Sequence, residues 1–523
     1  MSETLSGHGR IERLFDEHAS ERNDQPAVST ADSSCSYRQL RQRSIRVAEL
    51  ISASAPTGGK PLSGKPIGVL LPNSPAFPEA ALGVWRSRNV VVPISTSYSR
   101  DSIARIIVAL GIGTIVTSQA DRERLHGLAG TMVLPDGGNW SSSGDGFDAD
   151  RAPIGLTADH AAVFLTSGTT GNPKIVALTH RNILFNLASL KNAVPLSEDD
   201  KSFVCVPLCH SYGFTLQMLG ALCAGGHLTI GSGHVVSSDF ARELHTSRCT
   251  SLFGVPTTYR MLLDGIGRCR FGDELRHLRA LVNGAASMTP EILAGLRKAL
   301  PWADIHLTYG LSEASPLVTA LPPRWVDEKP CSIGRAVEGV KLALRRDDGR
   351  LTTEPGSVGE ILIKGPNVIE GYLGNAAANA ASFEGGYLRT GDVAMIDADR
   401  CLFFKGRSKD LISRGGEKIY PEDVEAVLQS HRSVMQSAVV PCPHETLEEV
   451  PFAFVVLNDG TQCGPTELRR WCAKCLSPQQ VPAGIEIVSS LPRTTTGKVR
   501  KNELALSLAS RQARLCQSHP QTE

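Results

Sequence analysis

From about Gly68 to Ile305, short apolar runs alternate with stretches whose apolar residues recur every three or four positions. GVLL, VVVPI, TIVT, AVFLT, FVCV, HLTI, SLFGV and ALVNG are short and apolar throughout, the pattern of strands buried on both faces. Between them, PEAALGVWRS and RDSIARIIVAL carry the spacing of amphipathic helices. In TPEILAGLRKAL a helix start is marked by Thr289 as cap and Pro290 at the first helical position. This alternation predicts an α/β fold in which helices cover mostly parallel sheets, and it directs attention to the loops at strand ends.

The pattern changes after about Ser332. GEILIKG and DVAMIDADRCLFFKG, with a turn at residues 397–400, have the look of hairpins and predict a β-rich section. From Ser408 a shorter α+β section follows. It has a helix at PEDVEAVLQS, strands near VMQSAVV and PFAFVVL, a helix at PTELRRWCAKC and a final basic helix. The junction falls near residues 407–409, which divides the chain into domains 1–407 and 408–523. Residues 136–154, rich in Gly, Ser and Asp, are expected to form a surface loop. No internal repeat is visible.

Composition narrows the function classes. At 523 residues and 41% hydrophobic content the chain can bury a large core in two or more domains. A net charge of +1 gives no global attraction to nucleic acid or anionic membrane, so an anionic ligand needs local features. The 13 cysteines are odd in number and scattered, which fits reduced thiols better than a disulfide framework. Cys472 and Cys475 form a lone C-x-x-C in a helical stretch, with no second pair to complete a metal site. The first residues lack an apolar run behind a basic start, and no segment has the roughly 18 continuous apolar residues of a membrane span. The chain ends in QTE rather than a peroxisomal address, so a cytoplasmic location is expected.

The most informative stretch is AAVFLTSGTTGNPKIVALTH. An apolar strand runs into Thr166, Ser167, Gly168, Thr169, Thr170, Gly171, Asn172, Pro173 and Lys174, and a second apolar strand follows. Two glycines let backbone N–H groups approach an anion, hydroxyls add donors and Lys174 adds charge, which together suit a triphosphate. A plain hairpin turn needs far fewer residues. The spacing is not that of a Walker A loop, G-x-x-x-x-G-K-[ST].

TSGTTGNPK resembles the signature loop of the adenylate-forming superfamily, whose members include acyl-CoA synthetases, adenylation domains of peptide synthetases and luciferases. Further motifs of that family follow in the expected order over nearly the whole chain. YGLSE (Tyr309, Gly310, Leu311, Ser312, Glu313) is similar to Y-G-x-T-E. The resemblance implies Tyr309 and Gly310 at the adenine, Ser312 at the α-phosphate, and Glu313 with Thr166 as ligands of Mg²⁺. Gly284, Ala285 and Ala286 resemble the small-residue adenine segment. GYLRTGD is similar to G-W-x-R-T-G-D, which implies Asp392 on the ribose hydroxyls. GRSK resembles the junction motif, with Arg407 near ribose and Lys409 as hinge. LPRTTTGK resembles the C-terminal lysine loop and implies that Lys498 bridges substrate carboxylate and phosphates. Leu307 departs from the family pattern, standing where relatives carry Asn, Gln or Asp facing the adenine amino group. The resemblance also implies a large layered α/β N-terminal domain with a β-rich subdomain, and a small mobile α+β C-terminal domain.

The implied chemistry is attack of a carboxylate on the α-phosphorus of ATP, giving acyl-AMP and pyrophosphate, followed by attack of a thiol. Thr166, Glu313, His210 and Lys498 are the catalytic candidates. SRGGEK, with Gly415 and Gly416, is similar to the loop lining the thiol tunnel of CoA ligases. PLCHSYG resembles their P-L-F-H-x-x-G, which puts His210 at the acyl pocket. Amino-acid-activating relatives place an aspartate in this segment, and malonate-type ligases place an arginine where this chain has Thr308. A monocarboxylic acid, fatty or aryl, is therefore expected, with ATP, Mg²⁺ and coenzyme A as cofactors. The alternatives are an acyl-AMP ligase loading a partner carrier protein, a luciferase-like oxidoreductase, and a non-catalytic nucleotide binder. The sequence leaves the oligomeric state open.

Overall fold

The eight apolar runs all form strands, arranged in two sheets. The computed structural model describes residues 9–53, 63–128, 130–134, 140–143, 155–166, 174–233, 236–458, 460–493 and 499–517. The chain divides into two compact units. One comprises residues 1–343, 362–389 and 399–402, and the other residues 344–361, 390–398 and 403–523.

In the first unit, one sheet has the order Ser141–Ser143, Gly130–Leu134, Thr114–Ser118, Pro66–Leu70, Val90–Pro93, His160–Thr166, Lys174–Thr179. Its interior is parallel, and only the outermost pair at each end runs antiparallel. The other sheet has a parallel centre of Pro26–Ser29, His227–Ile230, Lys201–Val204, Ser251–Gly254, Ala280–Asn283 and Asp304–Gly310. The antiparallel strands Leu317–Leu321 and Ser332–Ala336 extend it. Thr289 caps the helix Pro290–Ala299 by accepting the Ile292 N–H, as its sequence signature predicts.

The helix Ala76–Arg86 differs from its amphipathic reading, because every residue from Ala76 to Trp85 is buried. It shares one apolar core with residues of both sheets, among them Phe164 and Val204. Phe214 sits edge-on to Phe77, Trp85 and Phe164 at ring separations of 6.3, 5.8 and 5.6 Å. Burial of one such phenylalanine contributes about 1.5–3 kcal/mol. The charge this helix brings inside is matched: Glu79 accepts from Arg43 at 3.0 Å and from the indole of Trp140 at 3.0 Å. Trp140 corrects part of the surface-loop expectation, since it is buried and is followed by the short edge strand Ser141–Ser143. The rest of 136–154 lies outside the described residues.

The second unit contains the expected α+β section. Strands Ile412–Arg414, Glu417–Ile419, Val434–His444 and Glu448–Leu457 pair antiparallel, and Gly484–Ile487 joins in parallel. Strand alternation divides its core. Val439, Ala453 and Val455 pack with the helices Pro421–Gln429 and Pro465–Cys475. Ala438, Val440 and Phe454 pack instead with Leu504 and Leu508 of the helix Lys501–Gln517. Of the C-x-x-C pair, Cys472 lies in the first of these cores and Cys475 is exposed. No helix among the described residues is long and apolar enough to cross a membrane.

Two buried histidines tie the first unit to pH. Burial, reinforced by the charges of Arg10 and Arg88, lowers His180 to about 3, and burial lowers His306 to about 4. Each stays neutral in the folded chain while its unfolded counterpart binds a proton near pH 6.5. The stability they contribute is therefore present above 6.5 and lost as pH falls from there toward 4, at about 1.4 kcal/mol per pH unit for each. Urea unfolding at pH 7 and pH 5 should show this loss, and His306→Gln should remove about one proton from the dependence. Equal loss of stability in wild type and variant would contradict the assignment.

Candidate functional site

The strand Asp304–Gly310 ends at a crowded turn. A Cβ on Gly310 would lie 1.5 Å from the Pro316 carbonyl oxygen, so only glycine fits there. The Leu311 N–H donates to that same carbonyl at 3.0 Å, and a short 3₁₀ turn, Ser312–Ala314, follows. Two buried asparagines secure the turn from outside. Asn186 and Asn367 each donate to the carbonyls of Ala314 and Leu317, and Asn186 also accepts the Leu317 N–H at 3.0 Å. The Ile369 N–H donates to the Glu313 carbonyl at 2.9 Å. Burial of the Asn186 amide is tolerated because both its oxygen and its nitrogen are hydrogen-bonded, while Asn367 is held through its amide nitrogen.

Glu313, 9% exposed, is the product of this scaffold. The Tyr372 hydroxyl donates to its Oε1 at 3.1 Å. Burial, together with the neighbouring Glu313 charge, holds the Tyr372 phenol well above its ordinary range, so it stays a donor. The Lys174 ammonium stands 4.4 Å from the centre of the Tyr372 ring and 3.4 Å from the Ser382 hydroxyl. Lys174 is the cross-strand partner of Thr166, so the two strands flanking the Gly/Thr-rich stretch close on each other at these residues. Lys174, Tyr372 and Glu313 thus join the phosphate-loop candidates to the Y-G-L-S-E turn. Ser167, Gly168, Thr169, Thr170 and Gly171 lie outside the described residues, as does Lys498. Ser312, also on the turn, shares a 2.9 Å hydroxyl contact with Ser211.

The adenine candidates form a second wall. Gly284 ends the strand Ala280–Asn283, and a Cβ there would lie 2.5 Å from Cε2 of Tyr212. That ring is fixed, because its hydroxyl donates to the carbonyls of Val282 at 2.8 Å and Gly254 at 3.3 Å. Ala285 takes a left-handed backbone (φ 62°), and the Asn283 amide donates to the Ala286 carbonyl at 2.9 Å. Tyr212 opens a π-helical turn, Tyr212–Leu219, a distortion frequent at functional sites. Leu307 is buried beside Asn283 in the sheet register and offers no polar group. Thr308 is buried as well, its hydroxyl donating to the Asn283 carbonyl at 2.8 Å. Half-buried His210 follows Cys209, whose thiol burial pushes up to about 11.

The second unit carries the remaining candidates. The Arg407 guanidinium pairs with the buried Asp392 carboxylate at 3.1 Å. The Asp392 N–H donates to the Thr390 hydroxyl, and the Ser408 hydroxyl donates to the Gly391 carbonyl, both at 3.1 Å. Lys409 is exposed on the 3₁₀ turn Ser408–Asp410. Gly415 and Gly416, both left-handed, make the tight turn between Ile412–Arg414 and Glu417–Ile419. Tyr212 lies within PLCHSYG, whereas Tyr372, Asn186 and Asn367 belong to no motif of the sequence. Each of these three is a lone residue with no spacing signal, and only the pairing of EGY with the turn after YGLSE reveals the first of them.

Comparison with known proteins agrees with this geometry. The AMP-binding enzyme pattern matches residues 15–373, and the pattern of the AMP-binding enzyme C-terminal domain matches residues 423–498. The chain is 30% identical to an oxalate–CoA ligase of Arabidopsis thaliana, over 96% of this chain and 98% of that protein. It is 31% identical to a feruloyl-CoA synthase of an Amycolatopsis species, over 91% and 95%. Among solved structures, ATP-bound MatB of Rhodopseudomonas palustris superposes with a TM-score of 0.84 at 26% identity, covering 96% of this chain and 99% of that one. The o-succinylbenzoate CoA synthetase MenE of Bacillus subtilis, in complex with ATP and magnesium ion, gives 0.81 at 25% identity over 94% and 98%. With both patterns matched and the similarity spanning nearly its full length, the chain belongs to the AMP-binding enzyme family, within the adenylate-forming superfamily.

Proposed function

We propose that this enzyme activates a monocarboxylic acid, fatty or aryl, to acyl-AMP with release of pyrophosphate, and then transfers the acyl group to coenzyme A. The enzyme class is an AMP-forming acid–CoA ligase that uses ATP, Mg²⁺ and coenzyme A. The observation that carries the site reading is the buried Glu313 carboxylate, fixed by Tyr372 and linked through Lys174 to the two ends of the phosphate loop. A carboxylate and the Thr166 hydroxyl are hard oxygen donors that suit Mg²⁺. Bound there, the ion would neutralise charge on the phosphate oxygens.

The roles follow from the resemblance to the family's motifs. The hydroxyls and amides of Thr166, Ser167, Gly168, Thr169, Thr170 and Gly171, with Lys174, hold the triphosphate. Ser312 orients the α-phosphate, and Gly284, Ala285, Ala286, Tyr309 and Gly310 enclose adenine. With Leu307 apolar, backbone carbonyls take the adenine amino group. Asp392 and Arg407 hold ribose, and Lys498 stabilises the charge that builds on the α-phosphate during attack. For the second step the domain 408–523 turns about Lys409, and the Gly415–Gly416 turn leaves room for a pantetheine arm. The buried Thr308, already bonded to backbone, supports a monocarboxylate, since it offers no cation to a second carboxyl. His210 borders the acyl pocket. A carrier-protein thiol is the alternative acceptor, and a cytoplasmic location accords with the scattered free thiols.

Three measurements test this reading. A pyrophosphate-release screen with ATP across ferulate, 4-coumarate, straight-chain fatty acids, 2-succinylbenzoate and oxalate, with and without coenzyme A, should be led by a monocarboxylate. A lead by oxalate or 2-succinylbenzoate would replace that part of the proposal. Lys498→Ala should cut acyl-adenylate formation by about 10²–10³, the cost of losing one preorganised charge donor. Lys409→Pro should leave adenylate formation intact and impair thioester formation, and equal loss of both steps would count against the hinge.

A further inference from the structure

Three residues beyond Lys498, the chain is fastened. Lys501 opens the final helix, and its ammonium lies 3.0 Å from Glu422 and 2.8 Å from Glu425, both on the helix Pro421–Gln429. The two acids stand three positions apart and so share one helix face. Lys501 and Glu425 are largely withdrawn from water, at 18% and 13% side-chain exposure. Glu425 also accepts the Val439 N–H at 2.6 Å, which ties the cluster to the strand Val434–His444.

The residues on either side of 494–498 pair with each other. Arg493 and Val499 pair as an antiparallel bridge, and the Arg500 N–H donates to the Pro492 carbonyl at 2.8 Å. Arg493 is anchored in turn by Gln436 at 2.5 Å. On the far side, Glu422 is packed against the strand Leu402–Arg407. A Cβ on Gly406 would lie 2.2 Å from its Oε2. One lysine and two carboxylates therefore join the C-terminal flank of the Lys498 stretch to the strand that leads into the Arg407–Lys409 junction.

We propose that Lys501 is a positioning residue for acyl-adenylate formation, clamped by Glu422 and Glu425 so that the C-terminal flank of the stretch carrying Lys498 is held in place. The proposal rests on the reading of Lys498 given above. An ordinary surface ion pair is worth little, but this cluster is sheltered and carries one more acid than base. Burial pushes the Glu425 carboxyl up to about 7, with Lys501 pulling it down and Glu422 pushing it up. Burial works against the Lys501 ammonium too, yet Glu425 and Glu422 hold it above its ordinary range. Misplacing a catalytic group by about 1 Å can cost on the order of 10²-fold in rate, so loosening this flank should show in the chemical step.

The test uses the full chain, with Lys501→Met, Lys501→Arg, Glu425→Gln and Lys498→Ala compared on the acid that leads the screen. Pyrophosphate release reports the first step, and thioester formation from supplied acyl-adenylate and coenzyme A reports the second. Lys501→Met should lower kcat for the first step by about 10–100-fold, with KM for ATP little changed and the second step spared. Lys501→Arg should restore most of the loss, and Glu425→Gln should give a smaller defect of the same kind. The proposal is overturned if Lys501→Met keeps the first step while Lys498→Ala abolishes it. It is also overturned if both steps fall together without rescue by arginine, which marks a merely structural role. A Lys498→Ala chain that retains full adenylation would remove the underlying reading instead, and is recognised in that variant alone.

Discussion

A carboxyl group at the buried end of a parallel strand costs several kcal/mol unless its surroundings answer it, and the arrangement around Glu313 supplies that answer. The Ile369 amide bonds the Glu313 backbone carbonyl, and two asparagines from distant parts of the chain hold the adjoining Ala314 and Leu317. The Glu313 side chain is met by a phenol that burial keeps protonated. The ring of that phenol also carries Lys174 over its face, so one tyrosine contacts both unlike charges. Removing Tyr372 would take this donor from the Glu313 carboxylate, whereas the two asparagines back each other at the Ala314 and Leu317 carbonyls.

The two sheets serve this turn by bringing it beside the phosphate-loop strands. The core between them is cemented by the edge-on aromatic contacts of Phe214, which sits in the same π-helical turn as Tyr212. The segment that fixes Gly284 against an aromatic ring is therefore also the one that locks the sheets together. Fold stability and site shape share residues here, and substitutions at Phe214 would be felt by both.

Much of this was legible in the sequence, for identifiable reasons. Short uniform apolar runs mark strands that are covered on both sides, and all eight were placed correctly. The cap at Thr289 is local chemistry and was read as such. The periodicity of Ala76–Arg86 describes one face and cannot show that a second sheet covers the other, so the burial of the whole helix is not legible in it. Trp140 sat in a polar stretch whose composition hid its indole–carboxylate contact with Glu79. The motif residues stood out through their order along the chain. Asn186, Asn367 and Tyr372 did not, since their meaning lies in partners up to 131 positions away.

The contact between Gly284 and Tyr212 has a historical consequence. The ring cannot step aside, because its hydroxyl is committed to two carbonyls on neighbouring strands. A side chain at 284 is thus excluded for as long as an aromatic stands at 212, although nothing in the backbone of Gly284 itself forbids one. The two positions can change only in one order, with the tyrosine giving way first. Lineages of this fold would be expected to inherit them as a linked pair, and that coupling would be traceable in their descent even where the rest of the surrounding wall has drifted.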